Sequence, residues 1–339
     1  MPFQFFTGKR DEPINIDQLN IPIPHFKERE DPKLYHADEG LINAVNISIF
    51  LGLPLLITGE PGTGKTQLAY RVAWEMNLGS PLKFETKSTS TSKDLFYYYD
   101  TLARFQSFQT NKEERYDAKE YITYNALGEA IIKANDPSVF SHILPKDFDN
   151  KGAPKKSVVL IDEIDKATRD FPNDILNEIE KLYFKIPELN NIKVSADIEM
   201  SPIVIITSNS EKHLPDAFLR RCVFYHIEFP EPNRLLNIVE NRLQEIYPEI
   251  EITSDDNKSF LHDAIDLFFE LRNSDQGLRK KPSTGELLVW IETLYSVSDR
   301  LNPFEDIDLL TSSISTLVKS VDDLEIGKEV VLEWKEKKS

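Results

Sequence analysis

The most chemically pointed stretch of the chain is Gly59-Glu60-Pro61-Gly62-Thr63-Gly64-Lys65-Thr66, followed by Gln67. It fits the spacing G-x-x-x-x-G-K-[ST]. Glycines at these positions let the backbone curl until several N–H groups converge on one anion. A helix starting at the lysine adds the positive end of its dipole. This is a cradle for a polyphosphate. Lys65 is placed to meet the β- and γ-phosphates of a nucleoside triphosphate such as ATP, and the Thr66 hydroxyl to ligate Mg²⁺. A chance glycine-rich turn is the plain alternative, and the strand before it and the helix after it argue against that.

Farther along, Val158-Val-Leu-Ile-Asp162-Glu163 is an apolar run ending in two carboxylates. A buried parallel strand aims its carboxyl end at the phosphate crevice. Asp162 is then placed to hold Mg²⁺, directly or through water. Glu163 is suited to polarise an attacking water, which favours hydrolysis over phosphoryl transfer to a small substrate. By itself a strand followed by Asp-Glu is equally a solvated strand end; the cradle upstream gives it meaning. A third apolar run, Ile203–Thr207, leads to Ser208 and Asn209. Asn209 can hydrogen-bond the attacking water or the γ-phosphate, or can be a turn residue. Arg220 and Arg221 close a short segment before the next apolar run. They are either a solvated pair or a source of positive charge for a neighbouring subunit's γ-phosphate, a contribution worth ~10³–10⁵ in rate where it operates.

These groups need a scaffold of alternating strands and helices. Leu41, Ile42, Val45, Ile49 and Phe50 recur at helical spacing. Leu53–Thr58 reads as a buried strand, Lys65–Asn77 as a helix and Leu82–Glu85 as a strand. Residues 86–125 read as a polar loop, an aromatic stretch with Tyr97, Tyr98 and Tyr99, and a hairpin-like insertion. Phe171–Phe184 puts Ile175, Leu176, Ile179 and Leu182 on one helical face. Residues 192–199 alternate as in a hairpin, and Ile203–Thr207 and Val223–Ile227 are further strands. Everything after Pro232 is helical in pattern. The expected fold class is therefore α/β: a P-loop core with a central parallel sheet, followed by an all-α lid. Its expected parts are a proline-rich extended segment over 1–34, a nucleotide-binding domain over 35–230 with an insert near 96–124, and a helical domain over 231–339, with nucleotide in the crease between the last two.

Taken together, Pro54–Thr66, Val159–Pro187, Ile203–Pro230 and Pro282-Ser-Thr-Gly-Glu286 resemble AAA+ ATPases of the MoxR-like group, in the helix-2-insert clade. The resemblance spans roughly residues 35–300. It implies that Gly59–Thr66 is the Walker A motif, Val158–Glu163 Walker B and Asn209 sensor 1. It places the arginine finger on Arg221, with Arg220 the alternative. The segment 96–124 falls where the family carries its helix-2 insert, and 185–200 where it carries a pre-sensor-1 hairpin. The loop after the second strand falls near the ring's pore, where Tyr97, Tyr98 or Tyr99 would meet substrate, unless they divide between core and surface. The family also implies a ring, commonly a hexamer, and a protein partner such as one bearing a von Willebrand factor A domain. One departure stands out. The stretch Leu278-Arg-Lys-Lys-Pro-Ser-Thr-Gly-Glu286 lacks the family's arginine after Pro-Ser. Arg279, Lys280 or Lys281 substitutes for this sensor 2 residue, or the function is absent and Ser283 or Thr284 simply caps a helix.

Composition narrows the class. With 40 Lys plus Arg against 57 Asp plus Glu, the chain carries a net charge of -17 and repels phosphate backbones and anionic membranes. A nucleic-acid motor or clamp-loading subunit is the rival reading this disfavours. A non-hydrolysing nucleotide switch is the other rival, and Glu163 speaks against it. A single cysteine, Cys222, precludes an internal disulfide and suits a reducing compartment. The start of the chain lacks a signal-peptide pattern. The most apolar run, Ile47–Ile57, is interrupted by Ser48, Gly52 and Pro54 and is too short to span a bilayer. A cytoplasmic enzyme is the expectation.

Overall fold

A computed structural model describes residues 31–110, 117–149, 152–210, 214–246, 255–274, 276–297 and 303–338. The expected extended segment over 1–34 lies outside the described residues as far as residue 30, and so does part of the insert, residues 111–116. The chain divides into two compact units, Tyr35–Glu228 and a second one that takes in Phe229–Ser339.

The first unit is built on a parallel sheet of five strands: β1 (Leu55–Gly59), β2 (Leu82–Glu85), β5 (Val158–Asp162), β8 (Ile203–Ser208) and β9 (Val223–Ile227), in the order β2-β5-β8-β1-β9. Every residue of β1, β5 and β8 is buried. This is why they read as unbroken apolar runs rather than alternating ones: both faces are covered. One face packs Leu56, Val159, Ile161, Val204 and Ile206 into a core with α4 (Ala126–Lys133). The other packs Leu55, Ile57, Leu160 and Ile205 against α1 (Glu39–Leu51) and α2 (Lys65–Glu75). The α1 helix starts where the Asp38 carboxylate accepts from the Leu41 N–H and stops at Gly52, whose φ of 65° suits glycine.

Two small antiparallel ribbons decorate this core. The insert folds as β3 (Tyr97–Tyr99) paired with β4 (Ile122–Tyr124), with α3 (Thr101–Thr110) between them in the chain. The second ribbon is β6 (Tyr183–Ile186) with β7 (Ile192–Ser195). It corrects two boundaries. The helical face expected over Phe171–Phe184 is split into α5 (Phe171–Asp174) and α6 (Leu176–Lys181), and Phe184 belongs to a strand. Leu182 adopts φ 45°, which ends α6 and turns the chain into the ribbon. The hairpin begins at Tyr183, earlier than the alternation at 192–199 suggests and two residues before the 185–200 hairpin that the resemblance implies, because the helical spacing runs on into Tyr183 and Phe184. A short α7 (Asp216–Leu219) precedes β9.

The described residues of the second unit form α-helices and short turns but no strand: α8 (Pro232–Ile246), α9 (Asp255–Arg272), α10 (Thr284–Val297), α11 (Ile307–Ser313) and α12 (Val321–Lys338). Its own core gathers Leu235, Phe268, Trp290, Phe304 and Trp334. The Trp290 indole donates to Ser313 Oγ at 2.9 Å, so the buried N–H is satisfied. Among the described residues, no helix is long and apolar enough to cross a membrane.

Candidate active site

The cradle leaves the carboxyl end of β1 and runs into α2. At Gly59, φ is 154° and a Cβ would stand 2.6 Å from the Ile227 carbonyl oxygen, so only glycine lets β1 and β9 stay paired here. Gly64 is left-handed at φ 86° and caps α2 with no side-chain acceptor. The first N–H groups of α2 therefore have no capping side chain, which is the arrangement that receives an anion. The Tyr35 ring lies against Gly64, where a Cβ would come within 3.0 Å of it. Glu60, Pro61, Gly62 and Thr63 form the outward bend, tied by the Thr63 hydroxyl donating to the Glu60 carbonyl at 2.9 Å. Gln67 follows in the first turn of α2.

Lys65 is buried, with its ammonium donating to the carbonyls of Gly59 at 2.9 Å and Glu60 at 2.8 Å. Two of its three donors are thus used by the loop itself. Burial lowers its pKa below the ordinary lysine value, and the negative charges of Asp165, Glu163, Asp162 and Glu60 partly offset this. Four carboxylates therefore act on the Lys65 ammonium.

Asp162 ends β5 and is the centre of the site. Its register partner on β2 is Glu85, and the preceding pair Ile161 and Ile206 places Thr207 of β8 beside it. The Thr66 hydroxyl donates to Asp162 Oδ1 at 2.9 Å and the Thr207 hydroxyl donates to the same oxygen at 2.7 Å. Lys83 reaches from β2 to Oδ2 at 3.2 Å. The structure thus brings together Thr66 and Asp162, read as metal-holding residues from opposite ends of separate motifs. A hydroxyl and a carboxylate in contact are hard oxygen donors that fit Mg²⁺, which takes one or two protein oxygens and completes its shell with water and phosphate. Among the described residues there is no cluster of three or more His, Cys, Asp or Glu able to enclose a metal.

Glu163 follows in the left-handed region, φ 55° and ψ 53°, where a non-glycine residue costs roughly 1–2 kcal/mol. Its N–H donates to Thr207 Oγ1 at 2.8 Å, which helps hold that conformation. Strain of this kind, held by neighbours, is characteristic of functional positions. The Glu163 carboxylate is partly exposed and paired with Lys166. Asn209 sits just beyond β8 with its backbone N–H on Asp165 Oδ1 at 3.2 Å, leaving the half-buried amide side chain at the same end of the sheet.

Arg221 is elsewhere. The ladder pairs Val223 with Leu55 and Ile227 with Gly59, so Arg221 precedes the amino end of β9 while the cradle leaves the carboxyl end of β1. Four residue steps at about 3.3 Å put roughly 13 Å of strand between the two ends. The Arg221 guanidinium binds Glu180 through Nε at 3.0 Å and donates to the Ala217 carbonyl at 2.8 Å. Arg220 is exposed beside it.

Two further candidates resolve into structure. Tyr97 and Tyr99 are buried in the β3–β4 ribbon and only Tyr98 faces outward, so the aromatic run divides between core and surface. In the second unit, Ser283 and Glu286 form a reciprocal cap for α10: Glu286 Oε2 accepts from the Ser283 N–H at 2.8 Å. Arg279 pairs with Asp322 at 2.6 Å, and Lys280 and Lys281 are exposed. Sequence reasoning missed Thr207, Lys83 and Asp165 as site residues. The Asp165 signal was present, two residues after Glu163; the other two depend on strand register.

A cavity of about 330 Å³ lies between α1 and α2, lined by Tyr35, His36, Ile42, Val45, Leu68 and Val72 among others. It adjoins the first turn of the cradle helix.

No curated protein matches the sequence. Among solved structures, the Holliday junction branch migration motor RuvB of Thermotoga maritima is similar at 15% identity and a TM-score of 0.38, over 90% of this chain and 69% of that one. Hsp104, solved in a closed state with ATPγS and casein, is similar at 18% identity and a TM-score of 0.42, over 79% of this chain and 45% of that one. The family model for the ATPase family associated with various cellular activities matches residues 55–231, more than half of the chain, from the first residue of β1 to just past β9, so the protein belongs to the AAA family of ATPases.

Proposed function

We propose that the protein hydrolyses ATP with Mg²⁺ as a ring-forming oligomer, in which Arg221 of one protomer completes the site of the next, and that it spends the energy on remodelling, assembling or maturing a protein partner. The observation that carries the chemistry is the convergence of the Thr66 and Thr207 hydroxyls on Asp162 at the end of β5, with the Glu163 N–H held by the same Thr207 hydroxyl. Lys65 moves from its two loop carbonyls to the β- and γ-phosphates. Thr66 and Asp162 hold the metal, whose role is to neutralise charge on the phosphate oxygens. Glu163 orients and polarises a water once its carboxylate is turned from Lys166. That water's oxygen bonds to the γ-phosphorus, the bond to the β-phosphate's bridging oxygen breaks, and ADP and phosphate leave. Asn209 steadies the water or the γ-phosphate. Tyr35 and Leu68 supply surface for the base beside the cradle.

Arg221 is too far along the sheet to serve its own cradle, which supports action on a neighbour. The MoxR-like resemblance supports a von Willebrand factor A partner, and the net charge of -17 supports a protein over a nucleic-acid substrate. The test mixes two dead variants. Glu163→Gln should bind ATP without turnover, and so should Arg221→Ala. Together they should recover part of the activity, because a mixed interface pairs an intact glutamate with an intact arginine. Absence of any recovery, together with activity per chain that does not depend on concentration, would rule out the shared site.

A further inference from the structure

We infer that Lys83 is a built-in competitor of the metal at Asp162, and that Glu85 is the station to which it withdraws. The inference rests on the reading of Asp162 as a metal-holding residue. The ordinary P-loop site needs one lysine, and Lys65 is that lysine. Lys83 comes from a different element, the edge strand β2, and no motif accounts for it. Its ammonium lies 3.2 Å from Asp162 Oδ2 and 2.7 Å from Glu85 Oε1.

Register explains the placement. Glu85 pairs with Asp162 and Lys83 with Leu160, so all four side chains lie on one face of the sheet, the face that packs against α2 and carries Thr66. Asp162 is buried and both carboxylate oxygens are engaged: Oδ1 by the Thr66 and Thr207 hydroxyls, Oδ2 by Lys83. The hydroxyls are neutral and Thr66 is itself a metal-holding group, so they are compatible with a divalent ion at the carboxylate. A fixed positive charge on the other oxygen is not, because it repels that ion across the width of one carboxylate. Lys83 has a partner ready on its other side. Glu85 is exposed, and the lysine side chain keeps 30% of its surface in solvent, so it can shift toward Glu85 without becoming unpaired. Lys83 and Glu85 are thus positioning residues that set how much Mg²⁺ the site demands.

This predicts effects of opposite sign at two adjacent positions of one strand. Lys83→Met removes the competing charge and should tighten divalent binding about tenfold. Glu85→Gln weakens the withdrawn station, holds Lys83 on Asp162 and should loosen binding about threefold. The double variant should lie close to Lys83→Met, because Glu85 acts chiefly through Lys83 and only weakly on Asp162 directly. The readout is Mn²⁺ binding to the full-length protein with ADP present, followed by the Mn²⁺ resonance, with the Mg²⁺ concentration for half-maximal turnover as a second measure. Folding of each variant is checked by its melting profile. A supporting packing role for Lys83 would give weaker binding in Lys83→Met and no reversal in the double variant, and either result overturns the inference. Asp162→Asn separates the two levels. If it binds Mn²⁺ like the wild type, the reading of Asp162 falls and takes this inference with it. If it loses Mn²⁺ while Lys83→Met is unchanged, the inference on Lys83 alone is refuted.

Discussion

Thr207→Val is the sharpest probe of how the site is held. The Thr207 side chain is fully buried, donates to Asp162 Oδ1 at 2.7 Å and accepts from the Glu163 N–H at 2.8 Å. Valine has nearly the same shape and removes only the hydroxyl. A hydrogen bond to a charged group contributes about 1.5–3 kcal/mol, and an orphaned buried N–H costs about 1–3 kcal/mol. The added methyl returns under about 1 kcal/mol. The net loss should be about 2–4 kcal/mol, or roughly 5–15 °C in the melting temperature of a unit this size. Turnover should fall as well, since Asp162 and Glu163, proposed to hold the metal and orient the water, both lose a support. Thr207→Ser keeps the hydroxyl and should lie within about 1 kcal/mol of wild type. Calorimetry is the suitable assay because the two units can melt separately, and only the transition of the nucleotide-binding unit should move. If valine melted like the wild type, or serine were as damaging as valine, Thr207 could not be the link between Asp162 and Glu163.

Lys65→Met should weaken binding of a fluorescent ATP analogue by about a hundredfold, the equivalent of one strong charged hydrogen bond. The same variant, free of nucleotide, should melt no lower than wild type, because burial disfavours the charged lysine that is removed. Burial pushes the Cys222 thiol up to about 12, against an ordinary value of 9.0. Its reaction with a disulfide reagent at pH 8 should be much slower in the native protein than in urea; comparable rates would show that it is not shielded. For Glu188, burial would raise the pKa, but hydrogen bonds from Lys93 and Tyr97 bring it below the ordinary 4.5. The ribbon contacts it makes are fully stabilising above that value and are lost as pH falls through the lowered one, so Glu188→Gln should be less stable than wild type at pH 7 and converge with it in acid.

The parts of the site that were legible in the sequence are those whose geometry is local. Gly59–Thr66 is a contiguous curl, and Asp162 and Glu163 follow an apolar run that reads as a buried strand once the cradle upstream is taken with it. The sheet strands were legible for the same reason: Leu55–Ile57, Val158–Ile161 and Ile203–Ile206 are apolar at every position, as expected of strands covered on both faces. Phe171–Phe184 misled because a helical apolar spacing continued through Leu182. That residue takes a left-handed conformation no periodicity signals, and beyond it Phe184 serves a ribbon core beside Phe96, with ring centroids 5.2 Å apart. The aromatic run at Tyr97–Tyr99 was open in sequence because strand alternation, once formed, decides which rings are buried.

Thr207 and Lys83 were invisible for a deeper reason. Nothing in their own neighbourhoods distinguishes a strand threonine from a β-branched filler, or an edge-strand lysine from a solvated one. Their roles arise from the registers β5 to β8 and β2 to β5, which bring residues from three separate parts of the chain to one carboxylate. A shift of either register by one residue would turn Thr207 or Lys83 to the opposite face and leave Asp162 buried with a charge and too few partners. The same pairing that closes the apolar core therefore also fixes the charge balance of the phosphate site. Packing and chemistry are coupled through Asp162: a substitution deep in β8 or β5 that disturbs the ladder should change metal demand before it unfolds the unit, because the polar cluster at the strand ends depends on alignment that the apolar contacts alone tolerate losing.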